Sequence, residues 1–445
     1  MTVSSTDVLV VGGGPGGASV AIGLARAGHD VVLLERRTGR SPFVRGDLLN
    51  PDAVRELAAL DIDVTSSSTP ASSPASASGA SSSGALAATT SAHRLHGVRM
   101  WADGRSVDVR WPDAGDHRIG VSLRRSELNS ALLERARSAG VEVVVGREAL
   151  SPIVERGFVR GATVADTDSS GAPADQRRID EIRCRFLVVA DGANSRFGRG
   201  LGTHRDRNWP YAVSTSAYFE SDRADDAWVD VVLGPPDSHG RPLAGHGWVT
   251  PLGDGTVNAG VTVLSSSRDI LGVNTVKLFD RLVDDVAQRW GMDPRARLSD
   301  PVRRRTPVGG SVGPVMGPTF LVVGDAGGLA NPFNSHGVGA ALTAGRIAAD
   351  VLGEALTVGN STTLQRYPKL LDTEFAAYHK VGRLSARFLG RPGLLRLVLR
   401  SSIRSEAAMG AALRIATGEL RHDDPGGLER AYRIARVVSR FAPSW

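Results

Sequence analysis

Four short stretches of this sequence carry residue types suited to holding a nucleotide. In VVGGGPGGASVA, Gly12, Gly14 and Gly17 fall in GxGxxG spacing behind an apolar run, and Glu35 closes the next apolar run with Arg36 behind it. The three glycines serve different ends. Gly12 allows a tight turn, Gly14 lets the backbone approach a pyrophosphate, and Gly17 lets the following helix pack closely on its strand. The helix start offers free N–H groups to phosphate, and Glu35 is placed to accept from ribose hydroxyls. The second stretch, LVVADGANSRFGR, ends an apolar run at Asp191 and Gly192, with Arg196 and Arg199 beyond. The third, LVVGDAGGLANPFNSHGVG, ends one at Gly324 and Asp325, then turns through Pro332, His336 and Gly337 into a helix of small residues opening at Val338. The fourth, VRGDLLNP, crowds Arg45, Gly46, Asp47 and Asn50 just after the second apolar run.

Strands and helices must bring these stretches together. Strand, glycine turn, helix, second strand and terminal acid form one βαβ unit, so the expected class is α/β, with a Rossmann-like domain assembled from 1–64, 94–210 and 300–355. From about Tyr211 to Val263 apolar and polar side chains alternate, which predicts an antiparallel sheet bearing Tyr218, His246 and Trp248, within a substrate domain set at 211–299. Trp101 and Trp111 are further aromatics for a pocket wall, with core filling as their plainer role. From 356 to 445 the pattern turns helical and arginine-rich. A helical cap is expected there, and a helix resting on a membrane surface is the second reading. The stretch 65–93 is almost wholly Ser, Ala, Thr, Gly and Pro and reads as a flexible insertion.

Bulk properties bound the function. At 445 residues the chain can bury more than one core, and a net charge of +6 spread over that length is weak support for a nucleic-acid partner. Cys184 is the single cysteine, which removes internal disulfides and cysteine-based metal sites. No metal is expected. The glycine motif begins too near the N-terminus for a secretory leader to precede it, so a cytoplasmic location is expected.

Taken in order, GxGxxG with Glu35, the Arg-x-x-Leu of Arg125 to Leu128, Asp191-Gly192, and Gly324-Asp325 followed by NPFNSHGVG resemble the flavoprotein superfamily of p-hydroxybenzoate hydroxylase. That superfamily holds aromatic hydroxylases, epoxidases, flavin halogenases and geranylgeranyl reductases. The resemblance implies FAD, with Asp325 at the ribityl chain, Arg125 near the pyrophosphate, and the helix after Pro332 aimed at the flavin pyrimidine. Free N–H groups around Ser335 to Gly339 would stabilise negative charge there, while Asn334 and Ser335 would otherwise serve as helix caps. An antiparallel roof over the flavin is implied as well.

Two reactions follow from two branches. Geranylgeranyl reductases carry Cys-Gly-Asp-Gly-Leu-x-Pro where this chain has Arg45-Gly46-Asp47-Leu48, and their Tyr-x-Trp-x-Phe-Pro is absent from GHGWVTPLG. These departures favour a monooxygenase: FAD, reduced by NAD(P)H or a separate reductase, would activate O2 for transfer to an aromatic ring or alkene in specialised metabolism. Arg45, His336 and Trp248 are then the expected catalytic residues, with Arg45 also holding the flavin. Reduction of prenyl double bonds, on a lipid or menaquinone side chain, is the alternative, supported by overall similarity and by the Asn-Pro-Phe-Asn core. Either way the partner is a hydrophobic small molecule.

Overall fold

The computed structural model describes residues 3–39, 46–65, 92–111, 119–167, 179–268 and 270–417. The α/β expectation holds. Its organising layer is a parallel sheet ordered Phe320–Val322, Ile179–Val189, Val3–Val11, Val31–Glu35, Glu142–Val145. Runs such as Val8-Leu9-Val10-Val11 are apolar at every position because both faces of the sheet are covered, and all four side chains are buried. Register sets the position of the functional loops: Val11 lies beside Val189 and Leu34, and Val189 beside Val322. The chain therefore leaves the sheet at Gly12, Ala190 and Val323 along one edge, which brings three of the four nucleotide-type stretches to a single place.

Close helix packing backs this edge. A Cβ on Gly17 would lie 1.9 Å from the Gly12 carbonyl oxygen, so the glycine lets Pro15–Arg26 sit tight on its strand as the sequence suggests. On the outer side, a Cβ on Gly345 of the helix Val338–Val358 would lie 2.6 Å from the Gly16 carbonyl oxygen, and Ser19 Oγ donates to the Leu342 carbonyl at 2.9 Å.

A second sheet stands over that edge, ordered Val302–Pro307, Tyr211–Glu220, Thr256–Leu264, Gly245–Pro251, Trp228–Leu233, Gly97–Ala102, Arg105–Arg110. It reaches beyond the 211–299 stretch, taking in segments on both sides, and one of its pairings, Trp228–Leu233 with Gly97–Ala102, is parallel. That pairing joins residues more than a hundred positions apart, so no local alternation reveals it. One face is covered by the amphipathic helix Thr275–Trp290, which buries Leu278, Phe279, Leu282, Val286 and Trp290 against Val257, Val261 and Val263. Asn274 caps that helix by accepting from the amides of Val276 and Lys277, and Gly291 ends it at φ 56°. The other face is left to look onto the nucleotide edge.

Beyond residue 356 the helical expectation is met by Arg366–Leu389, Pro392–Ser402 and Glu406–Thr417. Most of the 65–93 insertion and Arg45 lie outside the described residues, as do 418–445.

Candidate functional site

Between the two sheets lies a cavity of 1260 Å³, larger than the roughly 300–1,000 Å³ usual for one small ligand. Its floor is the glycine edge, its roof the second sheet, and its far wall the C-terminal helices. Gly12, Gly14, Glu35, Arg36, Arg125, Asp191, Gly192, Gly324, Asp325, His336, Gly337, Val338 and Trp248 all line it. Two residues of the expected set stand apart from the wall: Gly17 packs helix against strand, and Pro332 lies behind the turn against Gly382. Tyr218 and Trp101 also lie off the wall, whereas Trp111 and His246 are on it.

The nucleotide end is built from backbone and charge. Gly12 has φ 114°, a conformation L side chains rarely adopt, and its amide donates to the Leu34 carbonyl at 2.9 Å, closing the turn. Nothing in the protein lies within 4 Å of a Cβ built on Gly14, so that backbone is open to the cavity. Glu35 is held at the end of its strand by the amides of Gly13 and Arg37, at 3.1 and 3.0 Å. Arg37, Arg125 and Arg304 converge on the same space. Burial, reinforced by repulsion from the other two guanidinium groups, pushes Arg125 down to about 10. Asp325 lies 3.8 Å from Arg304 and offsets part of this positive charge.

Whether this space fits a flavin nucleotide can be asked of its polar atoms. Asn129 Oδ1, Arg125 Nε, Asp191 Oδ1 and Ser335 Oγ are buried without a protein hydrogen-bond partner, and all four residues line the cavity. Buried polar atoms are rarely left unpaired, so the wall is shaped for a ligand with hydroxyls and charged oxygens. Asp191 turns its other oxygen to the Phe197 amide at 3.1 Å, and burial raises its carboxyl above the ordinary range.

The turn after Asp325 is organised by Asn331. Its side-chain oxygen accepts from the Phe333 amide at 2.7 Å, and its backbone amide donates to the His336 carbonyl at 2.9 Å. Ser335 takes φ 60° in this turn. The helix Val338–Val358 has no side-chain cap; Asn334 instead accepts from the His336 amide at 2.9 Å and donates to the Ala416 carbonyl at 2.8 Å. The first-turn N–H groups of that helix are thus left to the cavity.

At the opposite end the wall turns apolar: Val98, Met100, Val229, Val231, Leu233, Leu395, Leu399, Met409 and Leu413 line it. Trp248 is fixed there by its indole N–H, which donates to Asn258 Oδ1 at 2.7 Å, and it pairs across the sheet with Gly260. The His246 ring stands 6.0 Å from the indole, centroid to centroid. Desolvation pushes His336 down to about 4; desolvation, reinforced by His336, pushes His246 to about 3. Both imidazoles are neutral near pH 7.

Motif reasoning does not single out Arg37, Arg304 or the C-terminal wall residues Met409 and Leu413. The run Arg303-Arg304-Arg305 is a visible signal, but only the pairing of its strand with Tyr211–Glu220 puts it at the cavity. Asp47 stands out in the sequence without a role. It is 1% exposed and accepts from Tyr218 Oη at 2.8 Å and from the Arg125 amide at 2.9 Å, joining its loop to the roof sheet.

Known proteins resemble this chain along its whole length. It is 32% identical over 449 aligned residues to the menaquinone reductase of Mycobacterium tuberculosis, covering 99% of this chain and 98% of that one. It is 28% identical to a digeranylgeranylglycerophospholipid reductase of Methanoculleus marisnigri, covering 86% and 84%. A solved structure of a geranylgeranyl bacteriochlorophyll reductase-like protein from Thermoplasma acidophilum shares the fold, at a TM-score of 0.73, 23% identity, and coverage of 98% of this chain and 100% of that one. Residues 5–369 match the family model described as FAD binding domain, so the chain belongs to that family, among the flavoproteins related to p-hydroxybenzoate hydroxylase, and is an FAD-dependent oxidoreductase.

Proposed function

We propose that this enzyme reduces carbon–carbon double bonds in a prenyl chain, on a substrate of the menaquinone type. The observation that carries the reading is the apolar end of the cavity, whose aliphatic walls continue past Trp248 to Met409 and Leu413. An isoprenoid segment is matched by such a wall, whereas a small phenol would leave its hydroxyl facing aliphatic groups. Full-length similarity to reductases supports the same choice. The expectation of oxygen insertion rests on Arg45 and on the missing aromatic motif. It draws no support from these relatives, and Arg45 lies outside the described residues.

Reduced FAD, when bound, supplies the electron pair, drawn from a reduced nicotinamide or a separate reductase. Transferred as a hydride, that pair needs one proton from solvent to complete the two hydrogens added, and the chain supplies binding and orientation. Gly12, Gly14 and the start of Pro15–Arg26, with Arg37, Arg125 and Arg304, would hold the pyrophosphate, while Asp325 and Glu35 would take sugar hydroxyls. First-turn amides at Val338 and Gly339 would favour negative charge at the pyrimidine side of the ring. Neutral His246 and His336 add no charge of their own to the cavity, and the helix Glu406–Thr417 covers the apolar end with Met409 and Leu413.

Mass spectrometry of the product distinguishes the readings. FAD-loaded protein, given a reductant and a menaquinone with an unsaturated side chain, is expected to add two hydrogens to that chain under argon, at a rate unchanged by air. A product carrying one oxygen atom, formed only in air, overturns the proposal. A variant probes the apolar end: a Cβ at Gly260 would lie 2.2 Å from the Trp248 ring, so Gly260→Val must displace the indole. We expect KM to rise about tenfold, as for a misfitted apolar contact, with the absorbance of bound FAD unchanged.

A further inference from the structure

The helix Pro392–Ser402 is apolar on two sides. Leu395 and Leu399 face inward to line the cavity, while Leu397 stands 65% exposed and is not part of the cavity wall. Phe388, at the end of the preceding helix, is 50% exposed. The short turn Ile270–Gly272 adds Leu271, 96% exposed, and is tied to this junction by the Arg268 amide, which donates to the Gly390 carbonyl at 3.1 Å. A helix apolar on two sides ordinarily has both covered; this one separates an apolar cavity from water.

Charge sets the identity of the missing phase. From Phe375 to Ser405 the sequence has no Asp or Glu, yet it carries Lys380, Arg383, Arg387, Arg391, Arg396, Arg400 and Arg404. Arg400 is paired with Asp103, whereas Arg391 and Arg404 form no ion pair among the described residues. No helix among the described residues is long and apolar enough to cross a membrane. The geometry points to the surface formed by Phe388, Leu397 and Leu271 as a docking face for an anionic phospholipid bilayer, with Pro392–Ser402 lying in the headgroup layer over the apolar end of the cavity. Leucines would enter the acyl boundary and arginines the phosphates, a combination that gives reversible interfacial binding. A prenyl substrate would then pass from bilayer to cavity beside one helix. That last step rests on the proposed function; the docking itself does not.

Vesicle flotation tests it on the full, FAD-loaded chain. Phosphatidylglycerol vesicles are expected to carry the protein upward about tenfold more than phosphatidylcholine vesicles, with the difference shrinking as salt rises. The double variant Leu397→Asp with Leu271→Asp should lose about tenfold in flotation while keeping bound FAD and its turnover of a short-chain, water-soluble substrate. Absence of flotation on phosphatidylglycerol, equal flotation of the double variant, or a dimer in light scattering that the double variant abolishes would each overturn it. Because flotation is read without turnover, the docking face and the prenyl reduction can fail separately.

Discussion

Gly12→Ala is expected to yield a folded but colourless protein. Two observations carry this. Gly12 sits at φ 114°, and a Cβ there would lie 2.4 Å from the Ala190 carbonyl oxygen, which belongs to the neighbouring strand end. Neither strain can relax by rotating a side chain, so the turn itself must move. Forcing such a conformation costs about 1–3 kcal/mol, and relieving it by shifting the turn removes the nucleotide cradle; a loss of about 3 kcal/mol is about hundredfold in Kd. Gly14→Val separates folding from binding. Its backbone is extended at φ −72° and ψ −179°, and no protein atom lies near the added Cβ, so the empty chain should melt as the parent does. The new side chain would occupy the approach to the pyrophosphate, and FAD affinity should fall by a similar factor. Retention of FAD by either variant at the parental level, measured by absorbance after dialysis, would remove the GxGxxG turn from the site.

A second large effect concerns Asp47. Burial outweighs its hydrogen bonds from Tyr218 and the Arg125 amide and raises it from 3.8 to about 7. Between those values the folded chain holds a proton that the unfolded chain releases. Stability from this group is therefore fully present below about pH 4, falls as pH rises, and is lost above about pH 7, by up to about 4 kcal/mol. His336 and His246 act oppositely: their depressed values mean the unfolded chain binds more protons, so stability rises with pH up to the ordinary histidine range. Subtraction isolates Asp47. In Asp47→Asn the amide can still accept from Arg125 and donate to the Tyr218 oxygen, so the latch survives without the titration. Urea midpoints measured from about pH 5 to pH 8 should show the variant gaining on the parent as pH rises. Parallel pH curves would mean that Asp47 carries no such burden.

The same residue shows where sequence reading stops. Asp47 is conspicuous beside Gly46 and Asn50, yet its partner is Tyr218, far along the chain on the roof sheet, and no spacing rule connects them. Trp248 does stand on the cavity wall, as its alternating stretch suggests, while Trp101 lies under Arg289, whose guanidinium carbon sits 3.9 Å from the ring centroid on the sheet's other side. Alternation along a strand tells the two faces apart; it does not say which of them looks onto the cofactor.

What the sequence determined by itself is the nucleotide end: apolar strands stopping at Gly12, Asp191 and Gly324, a helix start after the first glycine turn, and Glu35 at a strand end. Those features are local, because turn conformation, helix initiation and strand burial are decided by residues within a few positions of one another. Only the tertiary structure decided the substrate end. There Val98, Val231 and the helix pair bearing Leu399 and Leu413 come from three distant parts of the chain, and the chemistry of that space arises from which apolar faces meet rather than from any motif. Burial is a property of the assembled layers, so it becomes visible only once the sheets and the C-terminal helices have closed around the cavity.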